Sequence, residues 1–328
     1  MTPGQAVDWT GRLARARAAV AAELPATPVI ESPGLGAGVL LKLESFQPTG
    51  SFKVRGALAV LTAGGSGGSP RQASTATGSD GGIVTASSGN HALGVAWAAR
   101  RLGLPATVVV PVGTSAAKLS GLRRFPAVVI QHGDDYEQAD QHARSLAGDR
   151  LRYVSATSDP DVIAGQATIG ADLLSQVAGT FTVACGIGGG AMASGLGLAG
   201  RQSGRMTVVG VEAAASPGMS TAIRAGQVTR VNVRDTLADG LAGNLEPGVI
   251  TVGLIREHVG RLVSVSEEQI ADAIRYLARE HGLVAEGSGA VPVAAVLAGL
   301  LPVTSQTVLV ISGRNIALET LAAVLRAG

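Results

Sequence analysis

The sequence is poor in cysteine, in charge and in long apolar runs, and each shortage argues against a class of protein. Cys185 is the only cysteine of the 328 residues, so no disulfide can form within one chain, which fits a reducing, cytoplasmic compartment. Charged residues make up 15%, the net charge is +2, and no basic stripe with aromatics is present, so nucleic acid is not expected as a partner. No apolar run reaches about 18 residues without polar breaks, and we expect no membrane span.

Lysine is also scarce. Of the 26 Lys and Arg residues, only Lys42, Lys53 and Lys118 are lysines. Arginine cannot replace an amine that must lose its proton and attack a carbonyl carbon. Lys53 follows a Gly-Ser turn and precedes a helix-like stretch, which makes it a candidate nucleophile.

What the sequence does contain is 46% hydrophobic residues, arranged as short apolar runs that alternate with helical patterns. Continuous Val-rich runs of this length predict strands that are covered on both faces. The predicted strands are Val39–Glu44, Gly82–Ala86, Ala106–Pro111, Ala127–Gln131, Thr180–Cys185, Met206–Glu212 and Thr307–Ser312. The predicted helices are Arg12–Ala22, Asn90–Leu102, Tyr136–Leu146, Ala164–Val177 and Glu267–His281. This alternation indicates an α/β fold with parallel sheets and crossover helices.

A polar tract rich in glycine and serine interrupts this pattern. Such a composition is typical of a flexible linker, and we place it at residues 63–79. The linker would let a small mobile domain, residues 80–155, move against a large domain formed by residues 1–62 and 156–328.

Two small-residue motifs follow predicted strands, and the first of them also precedes an Ala-rich helical pattern. The first, Thr85–Ala92, reads Thr-Ala-Ser-Ser-Gly-Asn-His-Ala, and its helix start offers backbone N–H groups to an anion such as a carboxylate. An ordinary helix cap is the alternative. The second, Gly186–Gly195, has glycines that let the backbone approach a phosphate. Taken alone, Gly186-x-Gly188-x-x-Ala191, with Glu212 about 20 residues later, favours a dinucleotide-binding unit.

The segment around Lys53 favours a different cofactor. Its pattern Leu-Glu-x-x-Gln-x-Thr-Gly-Ser-Phe-Lys-x-Arg-Gly-Ala resembles the cofactor-lysine segment of the fold-type II pyridoxal-phosphate (PLP) enzymes, in the branch of the threonine/serine dehydratases and serine racemases. The resemblance implies a tryptophan-synthase-β-like α/β fold, with two open, mainly parallel twisted sheets in a large and a small domain and the cofactor in the cleft. It also implies that Lys53 holds pyridoxal 5′-phosphate as a Schiff base.

Further segments extend the resemblance over roughly residues 25 to 325. They include the Ser-Ser-Gly-Asn-His turn, the triple-glycine loop, Thr236–Ala242, Val284–Ala290 and Val310–Ile316. The cofactor contacts implied are Phe52, Lys53, Asn90, Gly188, Gly189, Gly190, Ala191, Met192, Glu286 and Ser312. The substrate contacts implied are Ser87, Ser88, Asn90 and His91, and the catalytic residues implied are Lys53 and Ser88.

The chain departs from the family pattern at several positions. Leu93 replaces a glutamine, Ala191 the fourth glycine of the phosphate loop, and Gly287 a proline, while Arg314 stands where Gly or Ala is usual. Relatives that bind a divalent cation use a Glu and an Asp six residues later, whereas Glu212 is followed at that spacing by Gly218. Two carboxylate ligands are normally wanted for Mg²⁺ or Ca²⁺, so we expect no metal.

The resemblance implies β-elimination of L-threonine or L-serine to a 2-oxo acid and ammonia. Serine racemase is one alternative, because Ser88 matches the hydroxyl that faces the lysine across the cofactor in racemases. A 3-hydroxyaspartate ammonia-lyase is another, and Arg314 is the candidate cation for its distal carboxylate. A β-replacement synthase or an NAD(P)-binding oxidoreductase fits the lysine segment less well. The expected partner is a small amino-acid substrate, and a homodimer is the usual state in the family.

Overall fold

A computed structural model describes residues 7–63, 82–148, 151–303 and 306–327. Apart from Ala63, the predicted linker lies outside the described residues. The chain divides into two compact units. The first unit comprises Met1–Pro25 and Lys53–Thr168, and the second comprises Ala26–Phe52 and Ile169–Gly328. The expected division into a large and a small domain, with boundaries near residues 80 and 155, stays a prediction.

The regular elements of the described residues alternate between strands and helices. The strands are β1 (Val29–Glu31), β2 (Val39–Lys42), β3 (Gly82–Ala86), β4 (Ala106–Val110), β5 (Ala127–Gln131), β6 (Leu151–Tyr153), β7 (Phe181–Gly186), β8 (Met206–Ala213), β9 (Arg261–Val265) and β10 (Thr307–Val310). The helices are α1 (Trp9–Glu23), α2 (Lys53–Ala63), α3 (Asn90–Leu102), α4 (Ala116–Leu122), α5 (Tyr136–Leu146), α6 (Pro160–Gln176), α7 (Ala191–Ser203), α8 (Gly218–Ala225), α9 (Thr251–His258), α10 (Glu267–His281), α11 (Gly287–Leu297) and α12 (Leu318–Arg326). None of these helices is both long and apolar enough to cross a membrane.

The second unit contains a six-stranded sheet with the strand order β1-β2-β10-β7-β8-β9. Its strands are parallel except for β1, which pairs antiparallel with β2. The central strands bury both faces. In β10, Leu309 packs into a core cluster with α10 and α11, whereas Val308 and Val310 pack into a second cluster with α6 and α7. Burial on both faces explains why this strand reads as a continuous apolar run.

The first unit contains a four-stranded parallel sheet with the order β5-β4-β3-β6. Side chains of β3 also alternate between two clusters, because Ile83 packs with α2 and α3 while Val84 and Ala86 pack with α5. The prediction of an α/β fold with two mainly parallel sheets is therefore confirmed.

The strand arrangement positions the candidate residues of each unit. In open parallel sheets, ligands bind beyond the carboxyl ends of the strands. The Ser87–His91 turn follows β3, one of the two inner strands of the first unit's sheet. The glycine loop follows β7 and Ser312 follows β10, and these two strands are neighbours in the second unit.

Candidate active site

Lys53 is the first residue of α2 in the first unit, and its side chain is half-buried. Its Nζ atom donates to the Ala156 carbonyl at 3.5 Å. Close packing brings the start of α3 against this turn, because a Cβ atom on Gly94 would lie 3.0 Å from the backbone of both Lys53 and Val54. The absence of a side chain at Gly94 therefore lets α3 pack closely against the backbone at the start of α2.

The segment that leads to Lys53 is tied to the end of β10 in the second unit. The Phe52 N–H donates to the Ser312 carbonyl at 3.0 Å, and Ser51 forms an antiparallel bridge with Gly313. The residue immediately before the candidate nucleophile is thus hydrogen-bonded to the candidate pyridine contact. Two motifs 260 residues apart in the sequence meet here.

Arg314 and Asn315 reinforce this connection. The Arg314 N–H donates to the Gly50 carbonyl at 2.9 Å, and its guanidinium donates to the Ser45 carbonyl. Asn315 Nδ2 donates to the Thr49 carbonyl at 2.8 Å. The structure therefore gives Arg314 a contact that the sequence did not indicate, as part of a clamp on the segment before Lys53.

The Ser87–His91 turn has the conformation expected of a helix start. The Gly89 N–H donates to Ser87 Oγ at 3.2 Å, and α3 begins at Asn90. Gly89 occupies the N-cap position and has no side chain with which to satisfy the first N–H groups of the helix. Such a helix start retains donors for an anionic ligand.

His91 is the most unusual side chain of this turn, because it is 3% exposed and neither ring nitrogen has a well-formed hydrogen bond among the described residues. Burial lowers the pKa of His91 to about 3, with a further contribution from the nearby Lys53 charge. The Val154 carbonyl raises the pKa of His91, but this effect is smaller than the effect of burial. The imidazole is therefore neutral at physiological pH. It lies close to Lys53, so the first unit brings these two predicted site residues together.

The glycine loop precedes α7 in the second unit. Gly190 is its N-cap and adopts a left-handed conformation, with φ of +88°. The N–H groups of Gly188, Gly189 and Gly190 donate no hydrogen bond to another described residue. Ala191 and Met192 form the buried first positions of the helix. Several adjacent backbone donors are thus available at a helix N-terminus, which is an anion-binding arrangement.

The Thr236–Ala242 segment packs directly on this loop. A Cβ atom on Gly188 would lie 2.7 Å from the Leu241 carbonyl oxygen, and one on Gly287 would lie 2.1 Å from that of Leu237. Neither position has room for a side chain. Gly287, which departs from the family's proline, is therefore explained by the close approach of the Leu237 backbone.

Ser312 and Glu286 come together in the second unit. Ser312 is buried and its hydroxyl donates to the Ser288 carbonyl at 3.3 Å. A Cβ atom on Gly313 would lie 2.1 Å from Glu286 Oε1, so the carboxylate covers that glycine. The Ser51 and Ser288 hydroxyls are buried without a hydrogen bond among the described residues. A polar group of a ligand at this position could therefore form hydrogen bonds with these two hydroxyls.

Glu212 is buried, and its carboxylate caps the start of α8. Its carboxylate accepts from the N–H of Met219 at 2.8 Å and from that of Ser220 at 3.1 Å. Burial raises the pKa of Glu212, while these hydrogen bonds oppose the rise. No group of three or more His, Cys, Asp or Glu side chains suited to a metal ion is found within the described ranges. The expectation that no metal binds stays a prediction.

Comparison with known proteins identifies the family. The model of the family described as "pyridoxal-phosphate dependent enzyme" matches residues 20–313. The chain belongs to this family. Its cofactor is PLP, the predicted fold-type II architecture is confirmed, and the dinucleotide interpretation of the glycine loop is set aside.

Individual relatives of this PLP-dependent enzyme agree with that assignment. The chain is 38% identical over 300 residues to the L-threonine ammonia-lyase of Geobacter sulfurreducens, covering 90% of this chain and 72% of that protein. It matches the processed form of threonine deaminase isoform 2 from Solanum lycopersicum with a TM-score of 0.86, at 28% identity, covering 99% of this chain and 90% of the other. Maize serine racemase matches with a TM-score of 0.85, at 27% identity, covering 97% of this chain and 96% of the other.

The donor set of the described residues fits PLP. The glycine loop offers N–H groups suited to a phosphate, Lys53 offers an amine suited to an aldehyde carbon, and Ser312 offers a neutral hydroxyl suited to a pyridine nitrogen. The unpaired nitrogens of His91 also leave hydrogen-bonding capacity for a ligand. The individual residue roles stay predictions.

Sequence reasoning missed several residues that the structure places beside the predicted ones. These are Ser51, Ala156, Thr251 and Ser288. Each contacts the site through a backbone carbonyl or a small hydroxyl. Ser51 and Ser288 lie inside the matched segments but were given no role, whereas Ala156 and Thr251 lie outside them. Serine, alanine and threonine are too common to carry a signal of their own.

Proposed function

We propose that the enzyme is an ammonia-lyase that converts L-threonine, L-serine or both to the corresponding 2-oxo acid and ammonia. The observation that carries the proposal is the 38% identity, over 90% of the chain, to a protein named L-threonine ammonia-lyase. The retained Lys53 and Ser312 support the reaction type, because they supply an amine and a neutral hydroxyl where the family's chemistry needs them.

Lys53 has two roles in this mechanism. When bound, PLP supplies an electron sink for the electron pair released at the substrate Cα. Lys53 Nζ would hold the cofactor through its aldehyde carbon, and as a free amine it would take the substrate α-proton as general base. In the described residues, Lys53 Nζ donates to the Ala156 carbonyl at 3.5 Å.

The Ser87–His91 turn orients the substrate. Backbone N–H groups at the start of α3 and the Ser87 hydroxyl bind the substrate carboxylate. His91 remains neutral, so it adds hydrogen bonding without a second positive charge that would oppose protonation of Lys53. Holding the carboxylate fixes which bond at Cα faces Lys53.

Ser312 favours elimination over slower alternatives. An aspartate at this position would stabilise a protonated pyridine ring, whereas a neutral hydroxyl does not enforce that charge. Ser312 would therefore leave the electron sink of bound PLP weaker than an aspartate would, which suits β-elimination.

Serine racemisation is the second candidate, supported by the similarity to maize serine racemase. Ser88 would supply its hydroxyl proton to Cα on the face opposite Lys53. The Glu212 carboxylate accepts hydrogen bonds from the N–H groups of Met219 and Ser220 at the start of α8. The resemblance implies that racemases use the corresponding Glu as a cation ligand, so this arrangement does not favour racemisation.

A substrate panel tests the proposal. The holoenzyme is incubated separately with L-serine, D-serine, L-threonine and 3-hydroxyaspartate, and 2-oxo acid formation is followed with and without a chelator. We expect oxo acid from L-threonine or L-serine, at a rate the chelator does not change. Chiral analysis of the remaining serine detects racemisation. Turnover confined to 3-hydroxyaspartate, or D-serine without oxo acid, would contradict the proposal.

Lys53→Ala should abolish turnover, because neither a protonatable amine nor a replacement lysine remains nearby on α2. Lys118→Ala, which alters an exposed lysine on α4, is the matched control and should retain wild-type rates. Wild-type ammonia release by purified Lys53→Ala would refute the mechanism.

We also propose a cytoplasmic location and a homodimer. A single, buried cysteine supports a reducing compartment. Light scattering of the purified holoenzyme tests the dimer, which a monomeric mass at working concentration would contradict.

A further inference from the structure

Thr251, the first residue of α9, is a buried side chain that none of the sequence motifs contains. It is 0% exposed, and its hydroxyl donates to the Gly189 carbonyl at 2.7 Å. The acceptor lies in the middle of the triple-glycine loop. A hydroxyl from a helix 62 residues later in the chain therefore contacts the glycine loop, whose own N–H groups donate to no other described residue.

This hydrogen bond fixes the direction of a neighbouring donor. In a trans peptide the C=O and N–H bonds point in opposite directions. With the Gly189 carbonyl turned towards Thr251, the N–H of Gly190 must point away from it. The bond thus orients one of the three unpaired donors towards the side of the loop that α9 does not cover.

The side of the loop that faces α9 is closely packed. A Cβ atom on Gly190 would lie 3.0 Å from Thr251 Cβ, 2.6 Å from Ile255 and 2.9 Å from Met219. Met219 is itself fixed, because its N–H donates to the buried Glu212 carboxylate. The loop is therefore packed against two helices, α8 and α9, and the Thr251 hydroxyl adds a polar contact from α9 to the Gly189 carbonyl.

We propose that Thr251 is a positioning residue for the cofactor phosphate: its hydroxyl orients the Gly189–Gly190 peptide so that the loop donors face the phosphate oxygens. The inference rests on the proposed role of Gly188–Gly190 as the phosphate loop. Thr251 acts through the loop and touches neither the substrate nor the reacting atoms.

Cofactor affinity is the direct test. The equilibrium dissociation constant of PLP is measured by fluorescence titration of the apoenzyme for the wild type, Thr251→Val and Thr251→Ser. Valine keeps the shape and removes the hydroxyl, so the constant should rise about fivefold to tenfold, as expected for one lost hydrogen bond. Serine restores the hydroxyl and should return the constant to within about twofold of the wild type. An unchanged constant in Thr251→Val would overturn the proposal.

Pyridoxal, which lacks the phosphate, separates positioning from general damage. The loss in Thr251→Val should appear with PLP and be absent with pyridoxal. Equal losses with both ligands would overturn the proposal, because they would indicate a disturbed fold. Should Thr251→Val not fold, Thr251→Ala takes its place. A loss of affinity for PLP that is larger than the loss for pyridoxal then supports the proposal, and equal losses overturn it. Thr62→Val is the matched control, since the Thr62 hydroxyl donates to the Leu58 carbonyl within α2 and should leave PLP affinity unchanged.

Gly189→Asp distinguishes failure of this proposal from failure of the loop assignment. A carboxylate in the loop should repel a phosphate there and weaken PLP strongly. If Gly189→Asp loses PLP while Thr251→Val binds it normally, the loop assignment stands and the role of Thr251 is refuted. If neither variant changes PLP affinity, the loop assignment itself is wrong.

Discussion

At the scale of single residues, the chain keeps one imidazole, His91, buried and neutral beside its candidate nucleophile. A charged histidine at this place would oppose protonation of Lys53, and the low pKa of His91 prevents that conflict at physiological pH. The same burial carries an energetic consequence in acid.

His91→Asn should reduce the acid sensitivity of the apoenzyme. The unfolded chain protonates an ordinary histidine near pH 6.5, whereas the folded protein keeps His91 neutral down to a pKa of about 3. Between these values the unfolded state binds a proton that the folded state does not, so His91 lowers stability as the pH falls from about 6.5 towards 3. Melting temperatures of the wild type and variant at pH 7.5 and 5.5 measure the difference.

The change in melting temperature between the two pH values is compared for the wild type and the variant. Titratable groups that both proteins share contribute equally to the two changes and cancel in their difference. The wild type should lose more stability on acidification than His91→Asn does. An equal loss in the two proteins would show that His91 titrates in the folded state much as it does in the unfolded chain.

At the scale of helices and strands, the sequence predicts an element well when one face of a helix is buried or when a strand is apolar along its whole length. The bounds of β3, β5, α3, α5 and α10 are confirmed as predicted. Others shift at their ends: the run predicted as Val39–Glu44 ends its pairing at Lys42, and the helix predicted from Ala164 begins at Pro160. Strand ends are set by pairing with neighbours, which the sequence of one strand does not contain.

Elements without amphipathic periodicity were missed. In α7 and α11 nearly every residue is buried, and their Gly- and Ala-rich sequences have no polar face that would indicate a helical period. Pro292 inside α11 argued against a helix as well. The three-residue strands β1 and β6 are too short for a pattern and form only because a neighbouring strand is available.

The N-terminus of α10 carries a capping box, and its contribution to stability can be measured. Ser266 Oγ accepts from the Gln269 N–H at 3.3 Å, and Gln269 Oε1 accepts from the Ser266 N–H at 2.9 Å. Ser266→Ala removes half of this capping box and should lower the free energy of unfolding by about 1 kcal/mol in urea titration.

Ser175→Ala serves as the control for this variant, because the exposed Ser175 hydroxyl donates only to a carbonyl of its own helix. Its effect should stay within about 0.5 kcal/mol. A loss in the control as large as that of Ser266→Ala would contradict the capping assignment.

At the scale of the whole molecule, each unit places its candidate residues after the carboxyl ends of parallel strands, as the fold class predicts. The lysine segment, the serine turn and the glycine loop were found from the sequence because each is a local motif. The clamp of Arg314 and Asn315 on the Ser45–Gly50 segment was not found, because it depends on pairing between β2 and β10 across most of the chain. Thr251 was missed because its contact with Gly189 joins segments that are 62 residues apart in the sequence.

Cys185 reports on the integrity of the second unit. It is 0% exposed at the end of β7, and burial raises the pKa of its thiol to about 12. A buried, protonated thiol is a poor nucleophile, so the native protein should not react with a disulfide reagent at pH 8, whereas one thiol per chain should react in denaturant.

The reaction should follow unfolding of the second unit as seen by circular dichroism. Cys185→Ala is the control and should give no signal in either condition. Full modification of the wild type in native buffer, before any loss of ellipticity, would contradict the buried placement of this thiol.

The central claim is that one amine, that of Lys53, carries the cofactor, and the scarcity of lysine makes it directly measurable. The holoenzyme is reduced with borohydride, digested, and the phosphopyridoxyl group is located by mass spectrometry. The account predicts one group per chain on the peptide that contains Lys53, and none there in Lys53→Arg. A stoichiometric group on Lys42 or Lys118, or none at all in an active holoenzyme, would contradict it.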